Sequence, residues 1–340
     1  MYSRSNFKFP RVSIIVVNYN GKPFLKKCFS SLMKSIYPED FEVIMVDNAS
    51  KDASVEFVSR FFPSVKIEKS STNLGYAAGC NRGAKLAKYE YIVFMNSDIE
   101  VTRKWLLPLV QICSDPKVAI CGGKILLNRT RNQLYSAGGV LNLFSIPVDR
   151  GFFEEDKGSF DRLENVAYVS GAVLMVDRHI FEKLGGFDDD FFAFCEEVDL
   201  CLRSWISGYR VVFVPSSIVY HIFGGSFGKP SAFRNFFGLR NMLFTMIKIF
   251  ELKNLMWLLP INLAFRFFEV FILTLLGKRD YLFYFKASVM SVLLGLGSFI
   301  EKRKKVQKSR LIGDFVILKF FRSLKWQKYL FKKAIFQSVL

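Results

Sequence analysis

The sequence predicts an α/β fold on a mostly parallel central sheet. Two observations carry this. Apolar runs of strand length alternate with helix-length segments through the first hundred residues, and each run stops abruptly in a polar cluster. Such alternation argues parallel strands joined by right-handed crossovers. A chain of 340 residues can bury a sizeable core as one large or two modest domains.

In order, Val12 to Val17 reads as a buried strand broken by Asn18-Tyr19-Asn20-Gly21, and Pro23 suits the first turn of a helix running to about Ser35. Phe41 to Val46 repeats the pattern and ends at Asp47, followed by Asn48-Ala49-Ser50-Lys51-Asp52 and a helix from Ala53 to Phe62. Val65 to Glu68 is a short third strand. The fourth, Tyr91 to Met95, is the one the chain is organised around, because it ends in Asn96, Ser97 and Asp98. Strand carboxyl ends form the ligand crevice of an open α/β sheet, so Asn18 to Asn20, Asp47, Asn48, Asn73, Asn96 and Asp98 are expected to converge on one edge. They would offer amide and carboxylate partners to a base, a ribose and a metal-bound diphosphate.

Between the third and fourth strands, Asn73-Leu-Gly75-Tyr-Ala-Ala-Gly79-Cys-Asn81-Arg82-Gly83 carries glycines every fourth residue, on one helical face. Two readings stand: close helix-to-sheet packing, or that packing plus backbone approach to a nucleotide at the N-terminal end. The spacing is not GxGxxG, and GxxxxGK[ST] occurs nowhere, which disfavours a dehydrogenase or a P-loop enzyme.

Beyond Asp98 a helix is expected from Trp105 to Cys113, a strand around Val118 to Cys121, and a less regular region from Leu126 to Arg162 that opens an acceptor-binding half. Glu196, Glu197 and Asp199 fall in the first turns of a helix, where carboxylates complement the dipole. Beside Phe191, Phe192 and Phe194, a buried carboxyl could have its pKa raised into a general base's range. Asp199 and Arg203, four apart, suit a helical ion pair. Strands follow at Tyr209 to Val214 and Ile218 to His221; the imidazole of His221 would complement Asp98 as a metal ligand, while His179 reads as structural.

Composition narrows the partners. The formal charge is +18, with 38 phenylalanines, and residues 301–340 alone hold twelve Lys or Arg against Glu301 and Asp314. A basic excess beside apolar segments points to an anionic membrane surface and away from nucleic acid. Cys28, Cys80, Cys113, Cys121, Cys195 and Cys201 lack CxxC spacing and read as core hydrophobes in a reducing compartment rather than a zinc site or disulfide framework. MYSRSNFKFPR has no apolar signal-peptide region, so the body is expected in the cytoplasm, and the sequons at Asn48 and Asn128 are expected to be idle.

Together these residues resemble the family 2 inverting glycosyltransferases, particularly the rhamnosyltransferase-like branch. The resemblance covers about residues 11–245 and rests on VSIIVVNYNG, VDNASKD, NLGYAAGCNRG, FMNSD, SGAVLMVDR, GGFDDDFF, EEVDLCLR and GYRVVFVPSSIVYH, in that order. It implies a GT-A type nucleotide-diphospho-sugar transferase fold. It also implies nucleoside contacts at Tyr19, Asp47 and Asn73 with Asn48 nearby, Asn96 and Asp98 at the DxD positions where a divalent Mn or Mg bridges the donor diphosphate, His221 as a further metal ligand, and the catalytic base at Glu197 with Glu196 beside it; Asp199 is expected among the substrate-binding residues. Two positions depart from the family pattern: Asn96 stands where the first DxD carboxylate would be, and Glu197 where the base is commonly Asp. The implied activity is transfer of a rhamnose-like or other hexose from a nucleoside-diphosphate sugar to a cell-surface glycan or lipid-linked acceptor. Its rival is a silent membrane-bound scaffold that binds nucleotide sugars.

The expected organisation is a transferase domain over 1–230, with a nucleotide half at 11–100 and an acceptor half at 101–230, then a helical membrane-associating tail over 231–340. The apolar stretch 255–276 is long enough to span, yet Pro260, Asn262, Arg266 and Glu269 lie inside it, and a charge at mid-bilayer costs roughly 3 kcal/mol. Helices lying in the interface at the cytoplasmic face are therefore favoured, with 301–305 and the Phe/Leu/Lys-rich segment after it as a basic anchor.

Overall fold

The computed structural model describes residues 9–222 and 232–322; the end of the basic anchor, 323–340, lies outside them. The first half alternates β1 (Val12–Asn18), α1 (Lys22–Met33), β2 (Phe41–Asp47), α2 (Ser54–Phe61), β3 (Lys66–Lys69), α3 (Gly75–Leu86) and β4 (Tyr91–Asn96). The short β5 (Ile99–Val101) and α4 (Leu106–Cys113) lead into β6 (Val118–Leu127). Then come β7 (Leu134–Ser136), β8 (Gly139–Asn142), β9 (Pro147–Asp149), β10 (Glu164–Asn165), β11 (Val173–Asp177), α5 (Arg178–Lys183), α6 (Glu196–Ile206) and β12 (Arg210–His221). The chain continues through α7 (Ala232–Ile249), α8 (Leu252–Leu275), α9 (Asp280–Leu294), α10 (Leu296–Lys308), α11 (Phe315–Leu318) and β13 (Phe321–Arg322).

The main sheet runs β10-β12-β6-β11-β4-β1-β2-β3, with β1 to β4 parallel and β11 antiparallel to both of its neighbours. All seven residues of β1 are buried, because helices cover both faces. Alternate side chains face opposite ways. Ile15, Val17, Ile44, Val46, Ile92 and Phe94 pack with α3 and α6, whereas Ile14, Val16, Val43, Met45, Val93 and Met95 pack with α1 and α4. Fully burying each such apolar side chain contributes about 1.5–3 kcal/mol.

The register delivers the polar strand ends to one edge: Asn18 lies opposite Asp47, and Val17 opposite Asn96. Strands expected as two, at Tyr209 to Val214 and Ile218 to His221, are one continuous β12 whose pairing shifts between Val214 and Ile218. Pro215, which lacks an N–H, sits in that shift. β6 likewise runs past Cys121 to Leu127, and β12 and β6 together carry His221 beyond the rest of the sheet edge to pair with β5.

The glycine face of α3 packs on the sheet. A Cβ at Gly83 would come within 2.4 Å of Ile15 Cγ2, and one at Gly79 within 3.0 Å of Val17 Cγ1. Of the cysteines, all six are free thiols and only Cys195 is less than fully buried. From the C-terminal region, Met242 and Phe244 of α7, Phe299 of α10 and Ile317 of α11 join the same buried cluster as α3 and α6.

Candidate active site

Three short polar networks form along the sheet edge. In the first, Asn18 Nδ2 donates to Asp47 Oδ1 at 2.9 Å and to Ser50 Oγ at 3.1 Å, while the Ser50 amide donates to Asp47 Oδ2 at 3.0 Å. In the second, Asn48 Nδ2 donates to the Gly75 carbonyl at 2.8 Å, and the Gly75 amide to Asn73 Oδ1 at 2.9 Å. Asn18, Asp47 and Asn48 are buried, and Tyr19 stands exposed beside them. Gly21 must lack a side chain, because a Cβ there would lie 2.4 Å from Asn18 Oδ1.

The third network joins Asp98 and His221. The Asp98 carboxylate, carried by the tight turn after β4, has Oδ1 3.2 Å from His221 Nε2, and both residues are buried. The Tyr135 ring packs perpendicular to the imidazole, with centroids 4.4 Å apart, and His221 Nδ1 is buried without a hydrogen-bond partner. A carboxylate suits Mn or Mg and an imidazole suits a transition ion, so of the two the pair fits Mn better. Among the described residues no group of three or more His, Cys, Asp or Glu side chains is placed to hold a metal ion by itself, so a cation here would need further oxygens from substrate and water.

A cavity of about 400 Å³ opens beside this pair, and Asn96, Asp98, Glu196, Glu197 and His221 all line it. Glu197 rests against Gly171, where an added Cβ would touch its side chain at 3.4 Å. Tyr76 Oη donates to the Gly171 carbonyl at 2.7 Å, and the Asn96 amide donates to the Ala172 carbonyl at 3.1 Å, so strand end, Gly171 turn and α6 are fixed together. Burial raises the Glu197 carboxyl to about 7, with the Asp149 charge adding to it and backbone amides opposing. Glu196 is raised too, by burial and then by the Glu197 charge, and each carboxyl has one oxygen with no partner.

Asp199 is placed differently. Its carboxylate is fully buried behind the cavity, held by Arg203 at 2.8 Å and Lys248 at 2.8 Å, and it does not line the cavity. Asp199, expected among the substrate-binding residues, thus sits in an ion network on the side of α6 that faces α7. Tyr19, Asp47, Asn48 and Asn73 likewise lie outside the cavity, on the adjoining shelf.

The cavity also contains residues that sequence reading did not single out. Asp149 ends β9, accepts from Ser136 Oγ at 2.7 Å, and is raised to about 6 by burial, against the pull of Arg234 and His221. Tyr76, Tyr135 and Tyr168 form aromatic walls, and Arg234, Arg266 and Tyr284 close the far end from α7, α8 and α9. Only the tyrosine within the glycine segment carried any local signal. Arg266 pairs with Glu269 at 2.7 Å along the cavity wall, while Met256, Phe267, Phe268, Phe271 and Leu275 of α8 face outward exposed. Of the described helices, α8 is long and apolar enough to cross a membrane, and α9 with α10 passes the same test only as a pair bent by 66°.

The chain is 28% identical over 223 residues to the uncharacterized protein y4gI of Sinorhizobium fredii, covering 62% of this chain and 24% of that protein. It is 26% identical over 246 residues to an N-acetylglucosaminyl-diphospho-decaprenol L-rhamnosyltransferase of Mycobacterium tuberculosis, covering 64% of this chain and 78% of that one. The structure of GalNAc-T7 with UDP, GalNAc and Mn2+ superposes with a TM-score of 0.58 at 17% identity, over 72% of this chain and 48% of that one, which shows a common GT-A fold. The sequence profile described as Glycosyl transferase family 2 matches residues 13–185, just over half the chain, and the protein belongs to that family.

Proposed function

We propose that the protein is a metal-dependent inverting hexosyltransferase that moves a sugar from a nucleoside diphosphate to an acceptor carried on a membrane lipid. The observation that carries this reading is the Glu197 carboxylate in a cavity shared with the Asp98–His221 pair. Glu197, poised near neutrality, takes the proton of an acceptor hydroxyl; the freed oxygen attacks the anomeric carbon as the bond to the diphosphate breaks on the opposite side. One displacement inverts the centre. A divalent ion held by Asp98 and His221 would supply charge compensation for the leaving diphosphate. Asp47, Asn48, Asn73 and Tyr19 hold the nucleoside on the shelf, and Asn96 offers a neutral amide where the diphosphate meets the cavity.

Support for a lipid-borne acceptor comes from α8 and α9, which wall the cavity with Arg266, Tyr281 and Tyr284 and turn Phe267, Phe268 and Phe283 outward. The charges inside the apolar stretch of α8 thus line the cavity, leaving an outer face suited to lying in a membrane interface at the cytoplasmic side. The acceptor named for the mycobacterial relative is of the same kind. The test supplies N-acetylglucosaminyl-diphospho-polyprenol with a panel of UDP-, dTDP- and GDP-sugars and reads transfer by mass spectrometry. Transfer by wild type and none by Glu197→Gln supports the reading. Partner binding without transfer by either protein supports a silent scaffold instead.

A further inference from the structure

The segment that carries Glu196 and Glu197 into the cavity has an unusual backbone. A single 3-10 turn, Asp189–Phe191, leads into α6 through residues 192–195, and Phe192, Phe194 and Cys195 all have positive φ, at 58°, 71° and 64°. L-residues rarely adopt that conformation, so something outside the segment must hold it.

What holds it is α7. The carboxamide of Asn241, fully buried, sets Nδ2 at 2.8, 2.9 and 2.7 Å from the carbonyl oxygens of Phe191, Ala193 and Phe194, so its two hydrogens are shared among three acceptors. One residue earlier, Arg240 donates to the Asp190 carbonyl at 2.7 Å. Two turns on, Lys248 lies 2.5 Å from Asp188 and 2.8 Å from Asp199, bracketing the segment at its start and in the first turns of α6. From α10, Lys302 reaches Asp190 at 2.6 Å and also pairs with Asp188. Burial disfavours the Asp188 charge, but Lys248 and Lys302 overcome it and hold that carboxyl well below the usual range. The remaining carbonyl, that of Phe192, faces the other way and accepts from two amides in the first turn of α3, Tyr76 at 2.5 Å and Ala77 at 3.3 Å. Each carbonyl from Asp190 to Phe194 is thereby engaged, by the C-terminal helices on one side and by the glycine helix on the other.

We propose that Asn241 and Lys248 are positioning residues for the transfer reaction, clamping the strained segment so that Glu197 stays aimed into the cavity. The C-terminal helices then serve catalysis as well as the membrane surface. This rests on the reading of Glu197 as the base, but the clamp itself can be tested without turnover.

The experiment uses the full chain and two readouts. The first is hydrogen–deuterium exchange of amides 189–198, compared with β1 and β4, in wild type, Asn241→Asp, Lys248→Arg and Lys302→Met. Asn241→Asp keeps the shape but puts a carboxylate against three carbonyls; its expected result is at least tenfold faster exchange in 189–198, with β1 and β4 unchanged. Lys302 is partly exposed, so its variant should fold and give a smaller increase in the same peptide, while Lys248→Arg keeps the charge and should stay near wild type. The second readout is release of nucleoside diphosphate, where Asn241→Asp is expected to lower kcat about 100-fold and leave donor KM within threefold, because the shelf at Asp47 lies on other elements. Unchanged exchange in 189–198 in both folded Asn241→Asp and Lys302→Met overturns the clamp. So does a loss confined to donor KM. Silence of wild type with every donor counts against the transferase reading alone, and exchange then decides the clamp.

Discussion

The pH dependence of transfer follows directly from the burial of Glu197. With its carboxyl raised to about 7, the base is mostly protonated, and therefore idle, in mildly acidic solution. If the ionised fraction sets the rate, turnover falls about tenfold per unit below neutrality, and by roughly 90-fold between pH 8 and pH 5. Glu196 shares the titration, so the midpoint belongs to the pair. The assay is release of nucleoside diphosphate at saturating donor and acceptor across that range, with melting followed in parallel. Stability should move the opposite way: between the ordinary carboxyl range and pH 7 the unfolded chain releases protons that the folded one keeps, so the protein loses stability as pH rises. A profile that stays flat down to pH 5 in wild type would refute the reasoning, since a base of ordinary acidity would remain charged there.

Two further outcomes follow from packing. Gly83→Val forces a side chain into space where even a Cβ would lie 2.4 Å from Ile15, so it should cost about 1–3 kcal/mol and lower the denaturant midpoint; an unchanged midpoint contradicts the packing account. Replacing Phe267, Phe268 and Phe271 together by Ser should abolish co-sedimentation with phosphatidylserine vesicles and leave the fold intact by circular dichroism, because all three are exposed on α8; retained binding would move the membrane contact elsewhere.

The sequence disclosed what is local. Strands β1, β2 and β4 and the polar residues that end them were legible because an apolar run closing in Asn or Asp is written in consecutive residues, and parallel register then brings Asn18, Asp47 and Asn96 to one edge. The acidic start of α6 was legible in the same way. Asp149 was not, because a short strand in an irregular region gives no sign that it will face Glu197. Nor could the direction of Asp199 be read, since Arg203 is near in sequence but Lys248 belongs to a distant helix. The glycine segment of α3 had two readings, and for Gly79 and Gly83 the sheet contacts account for the spacing, whereas Gly75, at φ +80°, meets the Phe192 carbonyl of the base-bearing segment.

Metal-dependent transfer from a nucleotide sugar is tested most directly by release of nucleoside diphosphate from a panel of UDP-, dTDP- and GDP-sugars with Mn, with Mg and with chelator, in wild type and Asp98→Ala. The expected result is release from one donor class that needs the metal and is lost in the variant. Release that persists undiminished with chelator and in Asp98→Ala would contradict it.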